Sequence, residues 1–502
     1  MSPEITLSWV LALLPEISLA ILLIAIQVYE RVLHPANRRQ VGLLTAWGAF
    51  TILLLTLGLW IFFNEPNSQL SLGQSLMWGG MIRHDLVTLV FRVMFLIALI
   101  ITSLISLDVA SLQRVEYYAL LIMATMGFSL MSASADLIML YIALEMASIS
   151  SYILAGFAKG TLTSSEAGMK YFIYGAFATA IMLYGMSLLY GITAQTNLYV
   201  IGSIISSAAP LPAEANAVLL LAAVLIIVGF GFKISAVPFH FWTPDVYEGA
   251  PTPFIAFVST ASKAAGFAIF IRVFTAGVLG EPSQSSAWWA MLVAMCIITM
   301  TLGNFVAIFQ NNIKRMLAYS SIAQAGYAMI GLITLTPEGS GATMFYLLMY
   351  VFTNVAAFGV VILVSNLSQS EQMEDFYGLS RRAPYLALIM LFALLSLGGI
   401  PPTAGFVGKF LVFKAAVDAG YWWLALIGIL NAFVALYYYL TVVKYMYLYP
   451  AEDETAVVPV SRGAWAGLVV SLFFILILGT FYAGPVFEWT RTAAGAFYAL
   501  AS

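Results

Sequence analysis

Long apolar runs separated by short polar connections fill this chain from one end to the other. Fourteen of them read as helices long enough to cross a bilayer, with approximate limits 5–29, 41–63, 86–107, 115–133, 136–157, 168–190, 216–242, 252–276, 286–308, 315–334, 341–367, 384–417, 421–447 and 463–488. A helix rises about 1.5 Å per residue, so a hydrocarbon core of about 30 Å asks for about 20 apolar residues in succession. The connections leave no room for a second, soluble domain. The pattern therefore predicts an all-α, polytopic membrane protein. No basic region precedes the first run and no cleavage site follows it, so residues 5–29 read as a retained helix and not as a signal peptide.

Two runs carry helix-breaking sequence. The seventh reads GFGFKISAVPFHFWTPDVYEGAPTP, with Pro238, Pro244, Pro251 and Pro253; the twelfth reads LSLGGIPPTAGFVGKF, with Gly398, Gly399, Pro401 and Pro402. Proline removes a backbone donor and clashes with the preceding turn. In lipid the freed carbonyls need protein or water around them. A plain kink is the structural alternative, but a break beside a lysine occurs twice, and broken helices at mid-membrane mark ion or substrate sites in transporters. The breaks lie five runs apart, which divides the chain into three leading helices (1–114), two five-helix repeats (115–276 and 286–447) and a C-terminal helix (448–502). Five is odd, so the second repeat enters the membrane from the opposite side and the repeats are inverted.

Composition agrees with this picture. Hydrophobic residues make up 62% of the 502 and charged residues 9%, with a mean hydropathy of +0.97. Soluble chains carry about 25% charged residues, so lipid is the solvent for most of this surface. A net charge of −3 gives no reason to expect nucleic acid. The one cysteine, Cys296, lies in an apolar run and reads as a small core residue, which excludes disulfides and cysteine-ligated clusters within the chain. Of three histidines, His34 and His84 fall in or beside loops, leaving no pair for a haem. There is no glycine-rich nucleotide fingerprint. The chain is expected to carry no redox cofactor.

The basic residues set an orientation. Odd-numbered loops and their flanks hold Arg31, Arg38, Arg39, Arg114, Lys159, Lys170, Lys314, Arg315, Arg381, Arg382, Lys444 and Arg462, twelve of the twenty. Even-numbered loops hold little beyond Arg83 and Arg491; Arg92, Arg272 and Lys414 read as helix-end residues on that side, able to snorkel. The positive-inside rule then puts the odd loops in the cytoplasm and both termini on the other side.

Three lysines remain, Lys233, Lys263 and Lys409, none near a loop, together with Glu145. Lys263 lies about ten residues into its run, roughly 15 Å deep, and Glu145 lies at similar depth. A central charge costs about 2.5–3.5 kcal/mol even on lenient insertion scales. A Lys–Glu clamp between helices would account for one pair, but three lysines and one acid do not balance, which favours an ion path. Ser148, Ser150, Ser151, Ser235, Ser259, Thr260 and Ser262 are polar neighbours able to hold water between these charges. His240 follows Lys233 by seven residues and shares its face if the helix continues past Pro238; it suits either a proton relay or a local hydrogen bond. Asp136 reads as a helix cap. Glu16, beside Pro15, is a candidate for facing a neighbouring subunit.

The stretches FKISAVPFHFWTPDVYEGAPTP (232–253), LEMASISSYIL around Glu145, STASKAAGF around Lys263, NNIKRMLAYSSIAQAGY (311–327) and GIPPTAGFVGKF closely resemble the antiporter-like membrane subunits of respiratory complex I. The TPDVYEGAP loop and a lysine at 409 are similar to the N-type branch of that family in bacterial NADH:quinone oxidoreductases. The resemblance covers most of the chain. It implies fourteen helices in two inverted repeats and a proton-translocating subunit of a translocase that contains no redox centre of its own. It implies a Glu145–Lys233 ion pair in a first half-channel, Lys263 as central relay and Lys409 in a second half-channel. It also implies partners: sibling antiporter-like subunits, small membrane-arm subunits and a peripheral redox arm. NADH, flavin, iron–sulfur clusters and quinone belong to those subunits. A bacterial inner-membrane location follows. The runner-up is a subunit of a multisubunit cation/proton antiporter, which the loop at 243–251 argues against; a third reading is a purely structural spacer in the membrane arm.

Overall fold

The computed structural model describes residues 7–32, 38–63, 76–206, 213–275, 286–451, 453 and 457–501. The N-terminal part comprises α1 (Leu7–Ala12), α2 (Leu14–Val32), α3 (Arg39–Phe63) and α4 (Leu86–Ile105). A small antiparallel hairpin, β1 (Leu76–Met77) and β2 (Ile82–Arg83), precedes α4 and pairs Leu76 with Arg83. Next come α5 (Val115–Ala133), α6 (Leu137–Ala155), α7 (Leu162–Thr193), the short α8 (Leu198–Ile205) and α9 (Ala213–Ile234). Beyond the first break lie α10 (Trp242–Gly249), α11 (Thr252–Phe257), a π-helical turn (Val258–Ser262) and α12 (Lys263–Thr275). The second set is α13 (Ala287–Ala307), α14 (Ile313–Ile333), α15 (Pro337–Ser368), the short α16 (Leu379–Arg382), α17 (Pro384–Gly398), α18 (Ala404–Asp418) and α19 (Trp422–Leu448). The chain closes with α20 (Arg462–Thr480) and α21 (Ala483–Ala501).

Twelve continuous helices among the described residues are long and apolar enough to cross a membrane, against fourteen runs in the sequence. The two missing ones have physical reasons. The α2 helix carries Glu16, Glu30 and Arg31. The twelfth run is split into α17 and α18, of 15 residues each, or about 22 Å of helix apiece, too short to span alone. The last run was expected to continue to 488, but α20 ends at Thr480 and a separate helix, α21, starts at Ala483.

Helices α11 and α12 are buried almost throughout and α15 everywhere but its ends, whereas α3, α7 and α19 turn large apolar side chains outward, among them Trp47, Phe177 and Phe433. An outer surface of exposed phenylalanine and tryptophan belongs in lipid.

The same local construction occurs in both repeats. Asp136 caps α6 by accepting from Ile138 N at 2.8 Å, and Asn312 caps α14 by accepting from Arg315 N at 3.1 Å. Each cap residue forms an antiparallel bridge to the stretch that follows the long third helix: Asp136 with Asn197, Asn312 with Gln372. Those third helices, α7 and α15, both have 32 residues and both end on a left-handed residue, Ala194 and Gln369. Glycine allows equally close crossings, since a Cβ on Gly127 would lie 2.7 Å from Ala147 N, and one on Gly303 would lie 2.6 Å from Ala323 N. The cap reading of Asp136 therefore agrees with its geometry.

Candidate functional site

Lys233 sits at the last turn of α9. The helix stops there because Ser235 adopts a left-handed conformation and Ala236 N turns back to Gly231 O (2.8 Å); a cis Val237–Pro238 peptide follows. Trp242 Nε1 donates to the freed Phe232 carbonyl (3.2 Å), and its ring stacks on Tyr171 at 4.4 Å. The carbonyl end of a helix carries partial negative charge, a favourable place for an ammonium. Lys233 Nζ donates to Ser148 Oγ on α6 (3.2 Å) and lies 5.3 Å from the Phe128 ring. Glu145, one turn before Ser148, is half-buried, and its Oε1 has no hydrogen-bond partner. Among the described residues Glu145 and Lys233 form no ion pair within 4.0 Å. Ser148 holds the place of that contact.

Lys409 meets its break from the other side. Helix α17 ends at Gly398, Gly399 is left-handed (φ +83°), and a cis Pro401–Pro402 peptide follows. The lysine comes from α18 but donates back to the end of α17, to Leu397 O (2.8 Å) and Gly398 O (3.3 Å). The second broken helix thus presents its C-terminal carbonyls to a buried lysine, whereas at the first break the freed Phe232 carbonyl is taken by Trp242 and Lys233 turns to Ser148. The Tyr327 ring lies 4.4 Å from Lys409 Nζ. A cavity of about 270 Å³ reaches Lys409 between Gly399, Phe406, Phe410 and Phe433.

Lys263 follows directly on the π turn, a wide turn that recurs at functional sites and that the hydropathy pattern does not announce. Its ammonium donates to Ser321 Oγ on α14 (2.7 Å) and closely to the Ser321 carbonyl, with Tyr247 OH 3.3 Å from the same Oγ. One turn on, a Cβ at Gly266 would lie 3.4 Å from the stem of Lys233. So α12 touches Lys233 on the face that carries Lys263.

Helix α14 joins the central lysine to the last one. Ser320, next to Ser321, shares a hydrogen bond with Tyr439 OH (2.5 Å). Gln324 Nε2 donates to Tyr439 OH (3.1 Å) and to Leu397 O (3.0 Å), the carbonyl that also accepts from Lys409. Tyr346 OH donates to Gln324 Oε1. Sequence reasoning missed Ser320, Ser321, Gln324 and Tyr439. The available signal was the polar density of SSIAQ in a spanning helix.

The structure corrects the placement of several other charges. His240 is buried against Phe241 beyond Pro238, but α9 has already ended, so helical spacing does not put it on the face of Lys233. Arg92 and Arg272 do not snorkel. Arg92 binds Glu16 (2.8 Å), Ala12 O (2.9 Å), Ser129 Oγ (3.1 Å) and His84 Nδ1 (3.0 Å). Glu16 is accordingly 5% exposed and faces Arg92, not a neighbouring subunit. Arg272 binds Asp85 (2.8 Å), Ser132 O (2.5 Å), Thr88 Oγ1 (2.5 Å) and Tyr199 OH (3.2 Å). Lys314, counted with a loop flank, is buried and bonded to Glu371 (2.7 Å) and Ala250 O (3.2 Å). Among the described residues no group of three or more His, Cys, Asp or Glu is placed to hold a metal.

His84 and Asp85 precede α4. Burial, reinforced by the Arg92 guanidinium, pushes His84 from 6.5 down to about 3, so it is the neutral acceptor for Arg92. Burial pulls Asp85 up, but Arg272 outweighs it and holds the carboxyl below its ordinary range. For His84 the folded state binds fewer protons than the unfolded state between pH 3 and 6.5, so stability falls as pH drops below 6.5. The slope approaches about 1.4 kcal/mol per pH unit. Thermal midpoints of the assembled complex between pH 6.5 and 4.5 are expected to fall less steeply in His84→Gln; identical slopes would remove His84 as the cause.

The fold and the buried charges together define an all-α, antiporter-like membrane protein. A family model described as NADH:quinone oxidoreductase/Mrp antiporter, TM, matches residues 134–435, and the chain belongs to that family. It is 45% identical over 411 residues to NADH-quinone oxidoreductase subunit N of Moorella thermoacetica, covering 81% of this chain and 84% of the relative. It is 41% identical to subunit N of Desulforamulus reducens, covering 96% and 97%. Among solved structures it superposes on a chain of respiratory complex I from Thermus thermophilus with bound Aureothin, at a TM-score of 0.75 and 33% identity over 94% of this chain and 98% of that one. The Mrp complex from Dietzia shares the fold, with a TM-score of 0.82 at 20% identity over 98% of each chain.

Proposed function

We propose that the chain is a membrane-arm subunit of a bacterial NADH:quinone oxidoreductase, and that it moves protons across the inner membrane in response to quinone reduction elsewhere in the complex. The observation that carries this reading is near-full-length identity to subunit N chains, at 41% over 486 residues in one case. The electron-carrying groups, NADH, flavin, iron–sulfur clusters and quinone, belong to partner subunits. Both termini lie on the non-cytoplasmic side, a reading supported by the basic odd-numbered loops.

The path runs Glu145–Lys233, Lys263, Lys409, with His240 as a lesser candidate. Bringing a carboxylate to a lysine strengthens the hold on its proton, and withdrawing it weakens that hold. The separation of Glu145 from Lys233, with Ser148 on the ammonium, is the open arrangement of such a pair. Closing and opening the pair passes the proton towards Lys263. Ser321, Ser320, Tyr439 and Gln324 then supply hydroxyl and amide groups leading to the Leu397 carbonyl at Lys409. A hydrogen bond to a charged group is worth about 1.5–3 kcal/mol. Ser321→Ala is therefore expected to slow proton transfer about tenfold in an assembled complex, read as pumping against quinone reduction in vesicles. Pumping at the unaltered rate would remove Ser321 from the path.

Purification separates this reading from a stand-alone cation/proton antiporter. Co-purifying quinone-reductase subunits support the first. Sodium-dependent exchange without them supports the second.

A further inference from the structure

Outside the proton path, a basic pocket lies at one end of α3, α4 and α5. Its cavity of about 460 Å³ is lined by Arg38, Arg39, Asp108, Ser111, Gln113 and Arg114, with the Leu107 and Ala110 backbone between them. The one carboxylate among the described residues that line it is already engaged: Asp108 Oδ1 accepts from Arg39 (3.2 Å) and Oδ2 from Ser461 N (3.1 Å). Arg39 Nε also donates to Leu107 O (3.1 Å), which fixes the pocket wall. Arg38 and Arg114 are exposed and make no ion pair among the described residues. Three arginines against one acid give the described lining a net charge of +2.

An apolar track begins one helical turn from the pocket. On α3, starting four residues beyond Arg39, Leu43, Trp47, Phe50 and Leu54 are all exposed. Their spacing of four, three and four residues places them in one stripe along the helix. Eleven residues of helix measure about 16 Å, the depth of one leaflet's hydrocarbon. A cationic pocket at the helix ends, with an apolar stripe one leaflet long beginning one turn away, has the shape and polarity of one phospholipid.

We infer that this face binds an anionic phospholipid, its phosphate between Arg38, Arg39 and Arg114 and an acyl chain along Leu43, Trp47, Phe50 and Leu54. Charge complementarity selects an anionic headgroup over a zwitterionic one, since basic pockets between spanning helices hold acidic lipids. Arginine also matches phosphate with a planar fork of donors. The sidedness proposed above puts the pocket in the cytoplasmic leaflet; the binding itself does not depend on it.

The test uses the whole purified complex in phosphatidylcholine nanodiscs doped with a photoactivatable phosphatidylglycerol, with a photoactivatable phosphatidylcholine as control. Crosslinked peptides are mapped by mass spectrometry. The phosphatidylglycerol probe is expected to label 43–54 well above the control, and R38Q/R114Q to lower that labelling about tenfold. Inorganic phosphate at millimolar concentration is expected not to compete, because it lacks the acyl chain. Equal labelling by the two probes, labelling unchanged in R38Q/R114Q, full displacement by phosphate, or crosslinking of 43–54 to another subunit would each overturn the inference.

Discussion

Lys233→Ala is expected to lower proton pumping about tenfold or more while the complex still assembles. One pKa unit corresponds to about 1.4 kcal/mol, and this substitution removes the protonatable group altogether. Assembly survives because Lys233 is not locked into an ion pair. Its ammonium is held by Ser148 Oγ, and its loss leaves no carboxylate stripped of a direct partner. Glu145→Ala acts in the same direction by taking away the group whose approach holds the proton. Both variants are measured in vesicles, with pumping followed beside quinone reduction and subunit content. Normal pumping by an assembled Lys233→Ala complex would end the relay reading and leave a structural spacer as the better account.

Arg272→Ala is expected to do the reverse, harming stability before transport. The guanidinium is fully buried and joins α12 to Asp85 and Thr88 at the start of α4 and to the Ser132 carbonyl on α5. Breaking a buried pair by removing one member costs about 3–5 kcal/mol when the other charge stays behind unpaired; Arg83, 3.7 Å from Asp85, offsets part of that cost here. Low yields of assembled complex and a lowered thermal midpoint should follow. Arg272→Lys should recover only part of the loss, since a single ammonium cannot reproduce the forked contacts. An unchanged midpoint in Arg272→Ala would show that Asp85 finds another partner.

The contrast between these two residues explains what was legible in the sequence. Lys233, Lys263 and Lys409 stood in the middle of apolar runs, and depth along a run is visible from counting alone. All three are buried in the structure. Pro238, Pro401 and Pro402 marked the helix breaks for the same local reason. Arg92, Arg272 and Lys314 lay near run ends, where counting allows a side chain to reach water. Whether it does depends on what packs over it. Arg272 is covered in part by Phe497 of α21, a helix of which the last apolar run took in only the first turn and a half, ending at 488. Glu16 likewise found its partner 76 residues away. Long-range partners of this kind leave no periodic trace. The serines and glutamine of α14 belong to a stretch that carries the family resemblance, yet nothing local assigns them a role, because a lysine's hydrogen-bond partner on another helix is a tertiary fact.

The π turn at Val258–Ser262 has a consequence for length. A π turn accommodates one residue more than the α-helix around it. On one side of it α11 packs on α15; on the other α12 packs on α9 and α5. Because the wide turn already absorbs its extra residue, deleting one residue from 258–262 would let the segment close into continuous α-helix with α11 and α12 close to their present register, whereas the same deletion within α12 would turn everything beyond it by about 100°. The seating of α11 on α15 and of Lys263 on Ser321 is therefore compatible with two chain lengths at this one turn, and what the extra residue adds is a widened backbone directly before Lys263.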